Sequence, residues 1–215
     1  MMGQGFFITL EGGEGAGKST QARLLGEALQ AGGHEVVLTR EPGGAAGAEA
    51  IRELLVTGEP GRWTPLAEAL LFAAAREEHL RTTIRPALER GAIVISDRFC
   101  DSTRAYQGAA GGVAPEVIDA LEEWVVGPVR PDLTIILDLD PATGLARAHE
   151  RGGGADRFER HDLDFHARLR AAFKDIAARE SERCRIVDAG RNAEIVAEEI
   201  GGLVVSALAS RGEGA

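Results

Sequence analysis

Residues 12–19, "GGEGAGKS", have the types and spacing that chemistry on a phosphate requires: Gly12, four residues, Gly17, Lys18 and Ser19. Glycines let the backbone turn tightly and aim successive N–H groups inward, which makes a concave nest for an anion. A helix starting just after the loop adds the partial positive charge of its N-terminus. Lys18 is expected to reach the outer phosphates of a nucleotide, and the Ser19 hydroxyl to ligate Mg²⁺. The whole cradle comprises Gly12, Gly13, Glu14, Gly15, Ala16, Gly17, Lys18, Ser19 and Thr20. Such a motif is specific only with a strand before it and a helix after it. Both are present: "FFITL" is an apolar run rich in β-formers, and "QARLLGEALQAGG" repeats apolar residues at helical spacing.

Further segments hold candidate residues. "TREPGG", residues 39–44, sets Arg40 and Glu41 before Pro42 and two glycines; alone, it reads as a turn with a charged pair. In "DRFCDSTRAYQG", residues 97–108, Asp97 can hold Mg²⁺ through water and Arg98 can clamp a phosphate with paired N–H bonds. The alternative there is a local ion pair at a helix start. Ser102 and Tyr106 are four apart, so a helix beginning near Ser102 aims both at one pocket. Tyr106 is the only tyrosine in the chain. Phe72 and Arg76 are also four apart and could hold a planar base by stacking and hydrogen bonding, although spacing alone favours Phe72 as a core residue. In "RAHERGGGADRFER", residues 147–160, Arg147, Arg151, Arg157 and Arg160 flank a triple glycine. That is the profile of a mobile lid over a nucleotide. An ordinary solvated loop would instead pair these arginines with Glu150, Asp156 and Glu159.

The elements that must position these residues alternate. "EVVLT" (35–39), "AIVIS" (92–96), "LTIILDL" (133–139) and "RIVDA" (185–189) read as buried strands, and with "FFITL" make about five. Helical patterns cover 18–31, 47–57, 65–90, 115–125, 141–150, 162–180 and 192–209. Alternation of this kind predicts an α/β fold: a parallel sheet with helices on both faces and ligands at the carboxyl ends of its strands. The 215 residues and 44% hydrophobic content suit one domain spanning 1–215. The tail "ASRGEGA" is expected to fray. No apolar run is long enough to span a membrane, and the N-terminal run reads as the first strand rather than a leader. Cys100 and Cys184 lack metal-ligand spacing, so a reduced, cytoplasmic protein is expected. A net charge of −10 argues against a nucleic-acid polymer as partner, so arginines for a multi-phosphate site must be placed rather than abundant.

Taken together, "EGGEGAGKST", "TREPGG", "LLFAAAREEH", "SDRFCDSTRAYQG", "PDLTIILDLDP" and "ADRFER" resemble the thymidylate kinase family in order and spacing over about residues 5–190. The resemblance implies a P-loop NTPase fold with a lid over about 147–160, ATP as donor, Mg²⁺ as cofactor, dTMP as acceptor and a homodimer. It implies that Arg98, with Arg40 near it, grips the acceptor phosphate, and Pro42 is also among the substrate-binding residues. It implies that Phe72 stacks on thymine, Arg76 donates to thymine O4 and Thr103 meets the pyrimidine edge, with Ser102 also among the substrate-binding residues. Tyr106 would pack beneath the sugar 2′ position, Gln107 would close the pocket and Glu14 would face the acceptor sugar. Positions 15 and 16 are Gly and Ala, so the P-loop supplies no arginine. This resembles the bacterial branch in which the lid supplies the catalytic cation, with Arg151 and Arg157 as candidates beside Lys18, Asp97 and Arg98. The sequence departs from the family at Ala45 and Ala48 and in the register of Gly152–Gly154.

The implied reaction is dTMP + ATP → dTDP + ADP. An acceptor monoester phosphate, with a second pKa of about 6, is largely ionised at neutral pH and needs no strong base. Positioning and charge neutralisation then do the work. The rivals are another small-acceptor P-loop kinase, for deoxynucleosides or UMP/CMP, and a GTP-binding switch. The sequence has no N-K-x-D guanine signature.

Overall fold

The computed structural model describes residues 5–59, 61–150 and 157–212. Five parallel strands form one sheet in the order β2-β3-β1-β4-β5. They are β1 (Phe6–Gly12), β2 (Val36–Arg40), β3 (Ile93–Asp97), β4 (Leu133–Asp138) and β5 (Cys184–Asp188). The central strand, "FFITLEG", is buried along its whole length, as a strand covered on both faces must be. The edge strands β2 and β5 are only partly buried. From β1 the chain runs past β3 to β2, and from β3 it crosses β1 to reach β4. The carboxyl ends of β1 and β3 therefore flank the point where the connections diverge, which is where open α/β sheets bind ligands. The register sets Leu10 beside Asp97, so the glycine loop after β1 and the "DRF" segment after β3 are neighbours.

The helices are α1 (Lys18–Ala31), α2 (Ala46–Val56), α3 (Pro65–His79), α4 (Arg85–Glu89), α5 (Cys100–Thr103), α6 (Pro115–Val125), α7 (Pro141–Glu150), α8 (Leu163–Arg179) and α9 (Ala193–Gly212). One face of the sheet packs Leu25 and Leu29 of α1 with Val196, Ile200 and Val204 of α9. On the other face, Phe7 meets Leu80, Ile84, Phe99 and Val126. A third cluster joins Tyr106, Phe158, Phe165, Leu169 and Phe173 beside the cleft.

Some elements differ from the sequence reading. The single helix expected over 65–90 widens into a π-helical turn at Leu80–Ile84 before α4. Pro86 lies just beyond; lacking an N–H, it cannot continue the regular i→i−4 ladder. A second π-helical stretch, Arg104–Ala110, extends α5 and carries Tyr106 and Gln107. The tail expected to fray from Ala209 is helical as far as Gly212, where α9 ends. Arg211 anchors it, donating to the Gly5 carbonyl at 2.9 Å and pairing with Asp132 at 2.9 Å. Residues 213–215 lie outside the described residues.

Candidate active site

The glycine loop has the backbone its sequence demands. Gly15 and Gly17 have φ of 66° and 89°, in the left-handed region that glycine enters without strain. A Cβ on Gly15 would stand 1.9 Å from the Gly144 carbonyl oxygen, so no other residue fits there. Lys18 opens α1 and is 7% exposed, with Nζ donating to the carbonyls of Gly12 (3.2 Å) and Gly13 (2.7 Å). Burial, with the nearby Arg98 charge, lowers its pKa to about 8. Ser19 Oγ donates to Asp97 Oδ2 at 2.5 Å, which brings the two expected Mg²⁺ ligands together. Among the described residues no cluster of three His, Cys, Asp or Glu could hold a metal. The Ser19 hydroxyl and the Asp97 carboxylate fit Mg²⁺, which keeps its waters and binds one or two protein oxygens alongside substrate phosphates.

Arg98 faces this loop. Its φ is 73°, the only positive value among the described non-glycine residues. That turn sends the guanidinium back over the loop: Nη1 donates to Gly12 O (3.0 Å) and Ser102 Oγ (3.2 Å), and Nη2 to Glu14 Oε1 (2.8 Å). Strain of this kind in a non-glycine residue persists where the surroundings over-determine it, often at active sites. Here the surroundings include Glu11 at the end of β1. Its Oε1 accepts from the backbone N–H of Phe99 (2.8 Å) and Ser102 (3.3 Å), and its Oε2 from Ser102 Oγ (2.6 Å). Burial, reinforced by Asp101, raises the Glu11 pKa to about 7. Glu14 behaves oppositely. Burial would raise it, but Arg98, Lys18 and the Tyr106 hydroxyl bring it down to about 2.

Between these groups and α3 lies a cleft of about 290 Å³, lined by Lys18, Ser19, Asp97 and Arg98 at one end and Phe72, Thr103, Tyr106 and Gln107 at the other. Arg40, Pro42, Arg52 and Ser102 also line it. On a chain of net charge −10, this is the expected local concentration of arginine. Tyr106 donates its hydroxyl to Glu14 Oε1 at 2.7 Å, and its ring lies under the Arg98 guanidinium, 4.9 Å from centroid to carbon.

Arg76 stands behind the cleft wall, 5% exposed. Its Nε donates to Glu41 Oε2 (2.8 Å), and its Nη2 to the Phe99 carbonyl (3.1 Å) and Thr103 Oγ1 (3.0 Å). The other Glu41 oxygen meets His79 Nδ1 at 3.0 Å, and His79 Nε2 meets Thr39 Oγ1 at 2.6 Å. The "TREPGG" turn thus holds no Arg40–Glu41 pair. Arg40 pairs with Glu49 at 3.2 Å, and Glu41 turns inward to α3. Neither Glu11 nor His79 was singled out from the sequence; a carboxylate ending a buried strand and a histidine on the Phe72–Arg76 helix were the available signals.

The lid segment divides. Arg147 lies in α7 and donates to the Ala189 carbonyl, and Arg160 pairs with Glu59. Residues 151–156, with Arg151, lie outside the described residues. Arg157, expected as a lid cation facing the nucleotide, is instead fully buried. Its Nη1 meets Glu68 Oε1 at 2.5 Å and its Nε donates to the Leu55 carbonyl at 3.0 Å. A guanidinium taken from water needs such partners, and here α2 and α3 supply them. The next two residues do face the cleft. Phe158 and Glu159 line it, and the Phe158 ring lies 6.1 Å from Phe72 and 5.7 Å, edge-on, from Tyr106. From the sequence, Glu159 is expected only as an acidic partner for the lid arginines, and Phe158 is assigned no role.

Lys18 and Arg98, from opposite sides of the loop, bond the same Gly12 carbonyl oxygen. Two cations converging beside a glycine loop suit a phosphate-binding site, and on this five-stranded parallel sheet they mark a P-loop NTPase fold. The thymidylate kinase family model matches residues 10–200. A thymidylate kinase of Caulobacter vibrioides is 56% identical over 207 residues, covering 96% of this chain and 99% of its own. That of Ruegeria pomeroyi is 50% identical over 208 residues, covering 97% and 98%. The crystal structure of thymidylate kinase from Ehrlichia chaffeensis superposes with a TM-score of 0.76 at 37% identity, over 94% of this chain and 99% of that one. The chain belongs to the thymidylate kinase family.

Proposed function

We propose that the protein phosphorylates dTMP to dTDP, with ATP as donor and Mg²⁺ as cofactor, in the supply of dTTP. The convergence of Lys18 and Arg98 on Gly12 O, at 3.2 and 3.0 Å, carries this reading. The Gly12–Thr20 cradle receives the ATP phosphates. Ser19 and Asp97 would hold Mg²⁺, which neutralises charge on the outer phosphates when bound. Arg98, with Arg40 near it, holds the acceptor phosphate against the γ-phosphoryl group, so catalysis is positioning and charge neutralisation. Phe72 stacks on thymine. Thr103 meets the base edge, and Arg76, which donates to Thr103 Oγ1 from behind the cleft wall, reaches the base with Nη1, the end of its guanidinium with no protein bond among the described residues; Arg76 offers donors only, which suits thymine O4 and opposes a cytosine amino group. Glu14 faces the acceptor sugar, held by Arg98 and Tyr106. Arg151 supplies the remaining cation from the lid.

A coupled assay of ATP with dTMP, dUMP, dCMP and UMP tests the reading. It predicts the highest kcat/KM for dTMP; equal or better turnover of dCMP or UMP overturns it.

The same reading makes the protein a cytoplasmic homodimer. No helix among the described residues is long and apolar enough to cross a membrane. On α3, Leu66 and Leu70 are 47% and 51% exposed and four apart, an apolar stripe suited to a second copy. Sedimentation at micromolar protein should give the dimer mass, and a monomer there refutes the assignment.

A further inference from the structure

One carboxylate outside the residues assigned so far touches both the base end of the cleft and the lid. Glu68, in the first turn of α3, is 9% exposed. Its Oε1 meets Arg157 Nη1 at 2.5 Å, and its Oε2 accepts from Gln107 Nε2 at 3.1 Å. Gln107 is 2% exposed and lines the cleft.

The chemistry of this contact fixes an orientation. An ionised carboxylate only accepts hydrogen bonds, so it takes the amide of Gln107 by its NH₂ group. The Gln107 carbonyl oxygen is thereby turned away from Glu68, and it has no protein partner among the described residues. A primary amide alone could present either end to a ligand. Arg157 in turn holds Glu68: its second bond, to the Leu55 carbonyl at 3.0 Å, ties the pair to the end of α2.

We propose that Glu68 is a positioning residue for base choice: by fixing the Gln107 amide, it presents an acceptor, and not a donor, to the pyrimidine in the cleft. A thymine in a nucleotide has one N–H donor, at N3, whereas cytosine carries a bare acceptor nitrogen there. A fixed carbonyl oxygen therefore favours thymine and leaves cytosine with two opposed acceptors, the kind of mismatch that polar sites reject strongly. The proposal rests on the reading that the cleft takes dTMP.

The test compares kcat/KM for dTMP and dCMP in three forms of the full chain. In Glu68→Gln, the side chain at 68 can accept or donate, so the Gln107 amide is free to turn over. The dTMP/dCMP ratio should fall by about tenfold, with the loss in KM more than in kcat. The exchange Glu68→Gln with Gln107→Glu puts an obligate acceptor back at 107, held by the amide at 68, and should restore the ratio. A purely structural Glu68 predicts a lower melting temperature, an unchanged ratio and no rescue. A folded Glu68→Gln protein with the wild-type ratio overturns the proposal. If neither variant folds, the wild-type protein still decides. The Gln107 side-chain NH₂ signals should exchange with water much more slowly than those of an exposed glutamine, and rapid exchange overturns the proposal. Wild-type protein with no preference for dTMP refutes instead the dTMP reading beneath it.

Discussion

The Tyr106 hydroxyl gives its hydrogen to Glu14 while its ring lies beneath Arg98, so one side chain supports both Glu14 and Arg98. If the ring also fills the space under the sugar C2′, a ribose hydroxyl would meet it unpartnered. Tyr106→Phe keeps the ring and should keep the deoxy preference. Tyr106→Ala should raise relative kcat/KM on ribothymidine monophosphate, and an unchanged deoxy/ribo ratio in folded protein would sink the sugar-gate role. Arg76 allows a second test. Its donors suit a carbonyl acceptor, so Arg76→Ala should shrink the dTMP/dCMP preference by about 1–3 kcal/mol. The same change leaves buried Glu41 with His79 but without its guanidinium, so the melting temperature should fall as well. Full wild-type discrimination in that variant would make Arg76 structural only.

At the scale of elements, Arg157, one of the two cations expected of the lid, is taken up in packing. Arg157 closes a buried pair between the lid's return and α3, and Arg157→Ala strands the Glu68 carboxylate. Breaking one side of a buried pair costs about 3–5 kcal/mol, so calorimetry should show a large drop in melting temperature. Arg151→Ala should leave the melting curve in place and lower kcat by about 10³-fold, as loss of an arginine acting on the transferring phosphoryl group does. The reverse pattern, with stability lost at 151 and turnover alone at 157, would exchange the assignments. The π-helical stretch at Arg104–Ala110 is another element-scale feature. It carries Tyr106 and Gln107, and such widened turns recur at functional sites.

For the whole molecule, the carboxylates at the mouth of the sheet give folding stability a pH dependence of known sign. Burial, with Asp101 nearby, raises the Glu11 carboxyl from about 4.5 to about 7 in the fold. Its raised folded pKa favours the native state fully below about 4.5, and that contribution is lost as pH rises towards 7. Glu14, lowered to about 2, acts the other way: its contribution is present above about 4.5 and lost as pH falls towards 2. Thermal melts of wild type and Glu11→Gln across these ranges isolate the first effect. The wild-type melting temperature should decline relative to the variant between pH of about 4.5 and 7, and parallel curves would show that Glu11 does not titrate there.

Much was legible from sequence because it is written in short segments. The loop from Gly12 to Ser19 fixes its own function through glycine backbone freedom and the helix that follows, and the alternating strands and helices leave a parallel sheet as the solution. Helices 115–125 and 141–150 fall on α6 and α7 for the same reason, with periodic apolar faces and a proline at each start. The strand order, and hence the meeting of Asp97 with Ser19 across 78 positions, depends on which connections cross the sheet, and no local pattern encodes that. The partners of the charged residues were also hidden. Arg157 joins Glu68 across 89 positions, Arg76 joins Glu41 across 35, and Glu11 caps the turn at Phe99 across 88. A charged side chain in sequence shows only that it needs a partner; burial in the packed molecule decides which one it takes.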